Sequence, residues 1–401
     1  MVQPTPQDSS CVSDKLTPRE FRGMVAILLS IALATLDTAI ANTALPAIAA
    51  DLNASPAASV WIINAYQLAA VATLLPFAAL GGVLGQRKVY LGGLMLFVLS
   101  SALCTFAWSL PTLTIARVLQ GLGASAIMSV NAGLISSIFP RERLGRGLGM
   151  NALVVGTSFS IGPTIASLVL SVASWPWLFA INLPIGVFAL VFAWNSLPAT
   201  KPGNLTFDRV TAILNVITFG ALIFALSEAA QLGSMTTVLI ALAIFLVSGA
   251  TMLKREAGHP APMFPLDLLK RPMFALSALT AFCSFATQGL AFVSLPFFFE
   301  TTLGRDPVQT GFLMTPWSVV VAMIAPFAGR LSDRYPPGLL GGIGLALLCC
   351  GMISLATMPA DVSVMSIAAR MILCGIGFGF FQAPNQKALM TSAPKERSSG
   401  A

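Results

Sequence analysis

Twelve apolar runs, each about 20 residues or longer and separated by short polar or basic turns, leave this chain few folds to choose from. At ~1.5 Å per residue a helical run of that length crosses a ~30 Å hydrocarbon core, and only a helix or a closed barrel satisfies its own backbone there. The approximate spans are 24–48, 58–84, 89–107, 110–138, 146–172, 176–197, 208–229, 235–254, 273–299, 309–332, 338–358 and 363–390. Composition agrees, with 56% of the 401 residues hydrophobic, 9% charged and a mean hydropathy of +0.85. The expected fold class is an all-α polytopic membrane protein. One histidine and six cysteines without metal or redox spacing give no reason to expect a metal or cofactor. The spans are also poor in His and paired carboxylates, which argues against an enzyme.

A formal net charge of +7 would suit a nucleic-acid partner, but its placement points elsewhere. Once the loops are assigned alternately to two sides, 19 of the 22 Lys and Arg fall on one of them, from Lys15, Arg19 and Arg22 to Lys395 and Arg397. By the positive-inside rule that side is the cytoplasm, which puts the tail 1–23 inside a cell (inner) membrane. The tail is polar and proline-bearing, so helix one itself is expected to serve as the targeting signal.

The chain also contains a copy of part of itself. RVLQGLGASAIMSVNAGLISSIFPRERLGRG, from Arg117, returns at Arg370 as RMILCGIGFGFFQAPNQKALMTSAPKERSSGA, and Leu45-Pro46 returns as Leu295-Pro296. Helices one to four therefore repeat as nine to twelve. The implied organisation is a six-helix half at 24–197, two inserted helices within 198–272 (208–229 and 235–254), and a second half at 273–401. Ala401 corresponds to Gly147, where helix five begins, so the reading is 12 visible spans of an expected 14, with the second half cut after its fourth helix.

Polar residues within lipid-facing lengths of chain mark candidate sites. In LDTAIANTALP, Asp37 lies deep in helix one, and Asn42 follows it. A central Asp costs ~2.5–3.5 kcal/mol to insert, so it should meet a partner or a cavity; it either titrates or only packs helices. Arg117 cannot lose its proton and would set the field for a neighbouring carboxylate, or else snorkel outward; Arg370 is its counterpart. Asn64, Tyr66 and Gln67 in helix two suggest a cavity wall, and Gln120, Gln288, Trp317 and Gln382 are further lining candidates. Asn131 and Asn385 occupy equivalent repeat positions, so both line the cavity or both are packing hydrogen bonds. Gly156, Gly162 and Pro163 predict a bent helix five. Basic turns at Gly85, Arg87 and Lys88, and at Gly329, Asp333 and Arg334, are candidate gating loops.

These residues resemble the major facilitator superfamily, and within it the drug:proton antiporters with fourteen helices. LDTAIANTALP resembles the helix-one signature, RVLQGLGAS the helix-four motif, and GPTIAS the helix-five antiporter motif, with Ala166 and Ser167 where a glycine pair is usual. GRLSDR keeps the family's loop acid at Asp333, whereas Gly82 and Val83 replace the acid and arginine in the first half. The resemblance implies two pseudosymmetric halves and a proton-coupling and cation-binding role for Asp37 and Arg117. It also implies export of lipophilic, cationic drugs or antiseptics in exchange for protons, by a protein expected to act as a monomer. A proton-coupled transporter of a small metabolite and a truncated, non-transporting remnant are the alternatives.

Overall fold

The computed structural model describes residues 17–140, 143–199, 207–230, 233–256, 268, 270–305, 307–359 and 362–392. The tail as far as residue 16, the linker residues 200–206 and 257–267 and the second basic turn at 394–397 lie outside them. The first half consists of α1 (Pro18–Asp51), the single turn α2 (Pro56–Ser59), α3 (Trp61–Leu84), α4 (Gln86–Thr105), α5 (Leu110–Ile138) and α6 (Leu144–Val172), followed by a broken span of α7 (Pro176–Ala180) and α8 (Asn182–Ser196). A hairpin of α9 (Arg209–Ala230) and α10 (Met235–Glu256) comes next. The second half holds α11 (Pro272–Phe297), which ends in a π turn at Phe298–Thr302, then α12 (Pro307–Leu331), α13 (Pro337–Ala356) and α14 (Val364–Ser392). Eleven spans among the described residues are long and apolar enough to cross a membrane, and the 29-residue α6 stands on the remaining run, 146–172. Among the described residues there is no strand, and the chain is a polytopic all-α membrane protein.

Local chemistry sets where the helices begin. Thr17 caps α1 by accepting from the Glu20 amide at 3.3 Å while the Glu20 carboxylate accepts from the Thr17 amide at 2.8 Å, and Pro18 opens the first turn. Ser109 and Thr112 form the same reciprocal cap before α5. Proline opens the first turn of α2, α5, α7, α11 and α13 as well, where its missing N–H costs nothing. Gly85, at φ 93°, makes the left-handed corner between α3 and α4. The helical assignment of α6 runs unbroken through residue 163; the Pro163 side chain lies outside the described residues.

The repeat read from sequence is also a repeat of packing. In the first half a methyl group at Gly93 would lie 3.0 Å from the Gly123 carbonyl oxygen, and in the second a methyl at Gly344 would lie 2.7 Å from that of Gly377. Small residues thus let α4 approach α5, and α13 approach α14, backbone to backbone. Likewise Gly121 of α5 packs on the Tyr66 carbonyl of α3, as Gly375 of α14 packs on the Trp317 carbonyl of α12. Tyr66 and Trp317 are therefore structural counterparts.

The halves meet along α6 and α12. Gly145 and Gly329 touch backbone to backbone at the end that carries the basic turns. Four residues on, a methyl group at Gly149 would lie 2.9 Å from the Ala325 carbonyl oxygen, whereas one at Gly156 would have 3.6 Å to that of Ser318. The two helices are tight at the basic end and separate toward the middle. The α9–α10 hairpin leans on α3, with the Trp61 and Phe224 rings 5.7 Å apart.

Candidate functional site

The separation of α6 from α12 opens a cavity of ≈ 230 Å³ whose wall is completed by α11 and α14. Its chemistry is aromatic and uncharged. Phe292 of α11 lies edge-on to Trp317 of α12 at 5.4 Å and 80°, and Phe285 of α11 to Phe378 of α14 at 5.4 Å and 81°. Phe159 of α6 meets Phe292 at 6.1 Å. Gln288 and Gln382 bring two amides to the wall, and Gly156 a small face. The indole Nε1 of Trp317 is buried with no hydrogen-bond partner among the described residues. Helix geometry explains why Phe378 and Gln382, four residues apart on α14, share one face.

A second polar centre lies inside the first half and is sealed. Asp37 of α1 is 2% exposed and Arg117 of α5 is 1% exposed. Arg117 Nη1 pairs with Asp37 Oδ2. The other carboxylate oxygen accepts from Gln120 Nε2 at 2.8 Å and from Asn182 Nδ2 at 2.8 Å. Arg117 also donates to Gln120 Oε1 at 2.7 Å and to the Ile62 carbonyl at 3.2 Å, and its guanidinium lies 4.2 Å from the centre of the Tyr66 ring. Ser101 of α4 accepts from Gln120 at 2.9 Å. One carboxylate is thus held by side chains from α5 and α8, with α3 and α4 supporting them. Gln120 and Arg117 are three residues apart on α5, so one helix face presents both.

The predicted residues divide between these centres and elsewhere. Asp37, Arg117, Tyr66 and Gln120 belong to the ionic cluster; Trp317, Gln382, Gln288 and Gly156 belong to the cavity. Tyr66 and Gln120 were expected on a cavity wall and instead pack around Arg117, because burying a guanidinium requires acceptors and a ring face. Asn64 donates to the Ser227 hydroxyl of α9 at 2.5 Å, and Asn42 to the Thr38 carbonyl within its own helix at 3.0 Å. Gln67 is exposed. Asn131 donates to Asn151 of α6 at 3.0 Å and Asn385 to the Ser277 carbonyl of α11 at 3.0 Å, so both are helix-packing bonds. Gly162 packs on Ala39 of α1.

At the basic end, Asp333 accepts from Lys387 Nζ at 2.6 Å and from the Gly145 amide of the other half at 3.2 Å. Arg87 donates to the Trp194 carbonyl at 2.5 Å, while Lys88 and Arg334 are exposed. Arg370 donates to the Ser354 carbonyl at 2.7 Å and has no carboxylate partner among the described residues. Asn182, Ser101, Gly145 and Lys387 were not anticipated as site residues. Asn182 carried a signal, a lone amide in an apolar run, but the break between α7 and α8 that aims it was not visible.

The comparisons with known proteins place this architecture. The Major Facilitator Superfamily model matches residues 27–401. The chain belongs to the Major Facilitator Superfamily and is a multi-pass membrane transporter, not an enzyme. It is 48% identical over 389 residues to the uncharacterized transporter YebQ of Escherichia coli (strain K12), covering 96% of this chain and 84% of that protein. Identity is 29% to the riboflavin transporter RibZ of Clostridioides difficile (strain 630), covering 93% of this chain and 81% of that one. It is also 29% to the methylenomycin A resistance protein of Streptomyces coelicolor, covering 93% and 79%. Among solved structures, the proton:xylose symporter XylE superposes with a TM-score of 0.67 at 13% identity, covering 95% of this chain and 84% of that one, and shows the shared fold.

Proposed function

We propose that the protein is a drug:proton antiporter that exports lipophilic small molecules by alternating access, its halves 24–197 and 273–401 rocking about the α6–α12 cavity. The α9–α10 hairpin between the halves supports the fourteen-helix type, and the similarity to a resistance protein supports export. The observation that carries the reading is the sealed Asp37–Arg117 pair. Burying two charges is costly, and an apolar pair of the same volume often holds helices as well, so stability alone gives no reason for them.

The surroundings of the pair suit a group that changes charge. When a proton neutralises Asp37, Arg117 keeps the Gln120 and Ile62 oxygens and the Tyr66 ring face, so it is never stranded. The new carboxyl O–H needs an acceptor, and Asn182 Oδ1, on the same amide that donates to Asp37, is buried without a partner. The basic end faces the cytoplasm on this reading, and the Gly145–Gly329 backbone contact together with the Gly145 amide's hydrogen bond to Asp333 hold that end shut, with Lys387 fixing Asp333 from within its own half. On this reading outer protons reach Asp37 only when the sealed cluster opens to the outside, and its deprotonation toward the cytoplasm resets the cycle. Asp37, expected as a cation-binding as well as a proton-coupling residue, lies in the ionic cluster and is not among the residues lining the cavity.

Everted vesicles energised by a pH gradient test the proposal. Asp37→Asn is expected to abolish gradient-driven movement of a lipophilic dye that the unaltered protein moves, with the protein still folded; unchanged movement would remove Asp37 from the mechanism. A second reading, transport of a small metabolite, is supported by the similarity to a riboflavin transporter. Whole cells that accumulate the solute instead of excluding it would favour that reading.

A further inference from the structure

The α6–α12 cavity carries chemistry specific enough to name its ligand, and we infer that it takes an uncharged, flat aromatic solute bearing a carbonyl and an N–H on its edge. This rests on the reading that the cavity is where the transported molecule sits.

Three observations point the same way. Among the described residues no charged side chain lines the cavity. A cation placed there would give up its water with no carboxylate to replace it. The edge-to-face pairs Phe292–Trp317 and Phe285–Phe378 each also engage one ring face, which reduces the face area open to a cation. Moreover, the intramembrane charge of this half is positive: Arg370 lies two turns along α14 from Phe378, with no acid beside it among the described residues.

The polar groups define the edge of the ligand. An indole N–H only donates, so the buried, unpartnered Nε1 of Trp317 calls for an acceptor such as a carbonyl oxygen. Gln288 and Gln382 make no hydrogen bond among the described residues, and each amide offers both a donor and an acceptor. Leaving such groups unmatched is unfavourable, so a solute with a carbonyl and an N–H is preferred over a bare hydrocarbon of the same shape. At ≈ 230 Å³ the cavity suits a compact fused-ring solute, since ordinary ligand pockets run from ~300 to ~1,000 Å³.

Acridone and 10-methylacridinium share three fused rings; the first is neutral with a carbonyl and an N–H, the second carries a fixed charge and neither group. Equilibrium binding of each to the purified full chain, followed by ligand fluorescence, tests the inference without requiring transport. Acridone is expected to bind about tenfold or more tightly than 10-methylacridinium. Trp317→Phe and Gln382→Leu are each expected to weaken acridone by about three- to tenfold, one hydrogen bond, with 10-methylacridinium unaffected. Equal or tighter binding of the cation, no binding of acridone, or acridone affinity unchanged in both variants would overturn the assignment. If acridone binds as expected but is not moved by a pH gradient in proteoliposomes, the ligand assignment stands and the exporter reading fails.

Discussion

Tyr66 and Trp317 occupy the same place in the two copies of one repeat, each backed by a glycine of the neighbouring helix, yet their surroundings are opposites. Around Tyr66 the space is filled by Arg117, Asp37, Gln120 and Asn182, charged and buried. Around Trp317 a cavity opens, with aromatic and uncharged walls among the described residues. The chain offset that pairs Leu45-Pro46 with Leu295-Pro296 puts Thr287 where α1 has Asp37, so Arg370 keeps the arginine of the motif but has lost its acid. At the basic end the asymmetry reverses: the second half has Asp333 paired with Lys387, whereas the first has the Gln86 side chain lying over Gly133, at the position equivalent to Lys387. Duplicated helices thus share backbone packing while their side chains diverge into a buried ionic cluster in the first half and, in the second, the aromatic wall that faces α6 across the cavity.

Removing one charge from the sealed pair should break this contrast most severely. Arg117→Leu leaves a buried carboxylate without its cation, and thermal unfolding in detergent should show a loss of about 3–5 kcal/mol. The double variant Asp37→Leu/Arg117→Leu is expected to regain most of that stability without regaining transport. Arg370→Leu, the matched change in the other half, should cost only about 1 kcal/mol, because one hydrogen bond to the Ser354 carbonyl is lost and no acid is stranded. Equal losses at Arg117 and Arg370 would erase the distinction between the halves.

The closing contact is next in size. A side chain at Gly145 has no space beside the Gly329 backbone, so Gly145→Val should force the basic end apart. Cysteines introduced into the cavity would then react faster with a membrane-impermeant thiol reagent applied from the basic side; unchanged labelling would show that α6 and α12 do not form the seal. Asp333→Asn, which weakens the Lys387 pair and the Gly145 contact, should act in the same direction but less strongly.

Asp208 provides the smallest effect, away from both centres. It caps α9 through the Val210 amide at 2.9 Å and the Thr211 hydroxyl at 2.7 Å, and Arg255 donates to it at 3.2 Å. These hydrogen bonds, the Thr211 hydroxyl's above all, lower its pKa to about 2. Because the folded value lies below the ordinary carboxylate value, the stabilisation is present above about pH 4 and disappears as pH falls toward 2. Asp208→Ala should cost about 1 kcal/mol, constant from pH 5 to 8, in thermal unfolding.

The sequence carried the spans, the repeat and the Asp37–Arg117 candidates because lipid penalises charge and rewards apolar length regardless of tertiary detail. Trp317, Gln288 and Gln382 were named as lining residues from their polarity within apolar runs, and they do converge on one cavity. Direction was not legible. Asn64 and Asn182 look alike as single amides in apolar helices, yet one bonds Ser227 and the other Asp37, because helix rotation and the α7–α8 break decide where each points. In the sequence Lys387 is one of the 19 basic residues on one side; only the packing of α14 beside the α12 terminus makes it a buried partner of Asp333.

The central claim is that the proton centre and the ligand cavity are separate. Measuring both acridone affinity and pH-gradient-driven transport in Asp37→Asn and in Trp317→Phe tests it most directly. Asp37→Asn is predicted to bind acridone within about twofold of the unaltered protein, a difference near 0.4 kcal/mol, while losing response to the gradient. Trp317→Phe should bind several-fold more weakly yet still respond. Loss of acridone binding in Asp37→Asn, with the protein still folded, would show a single shared site and contradict the account.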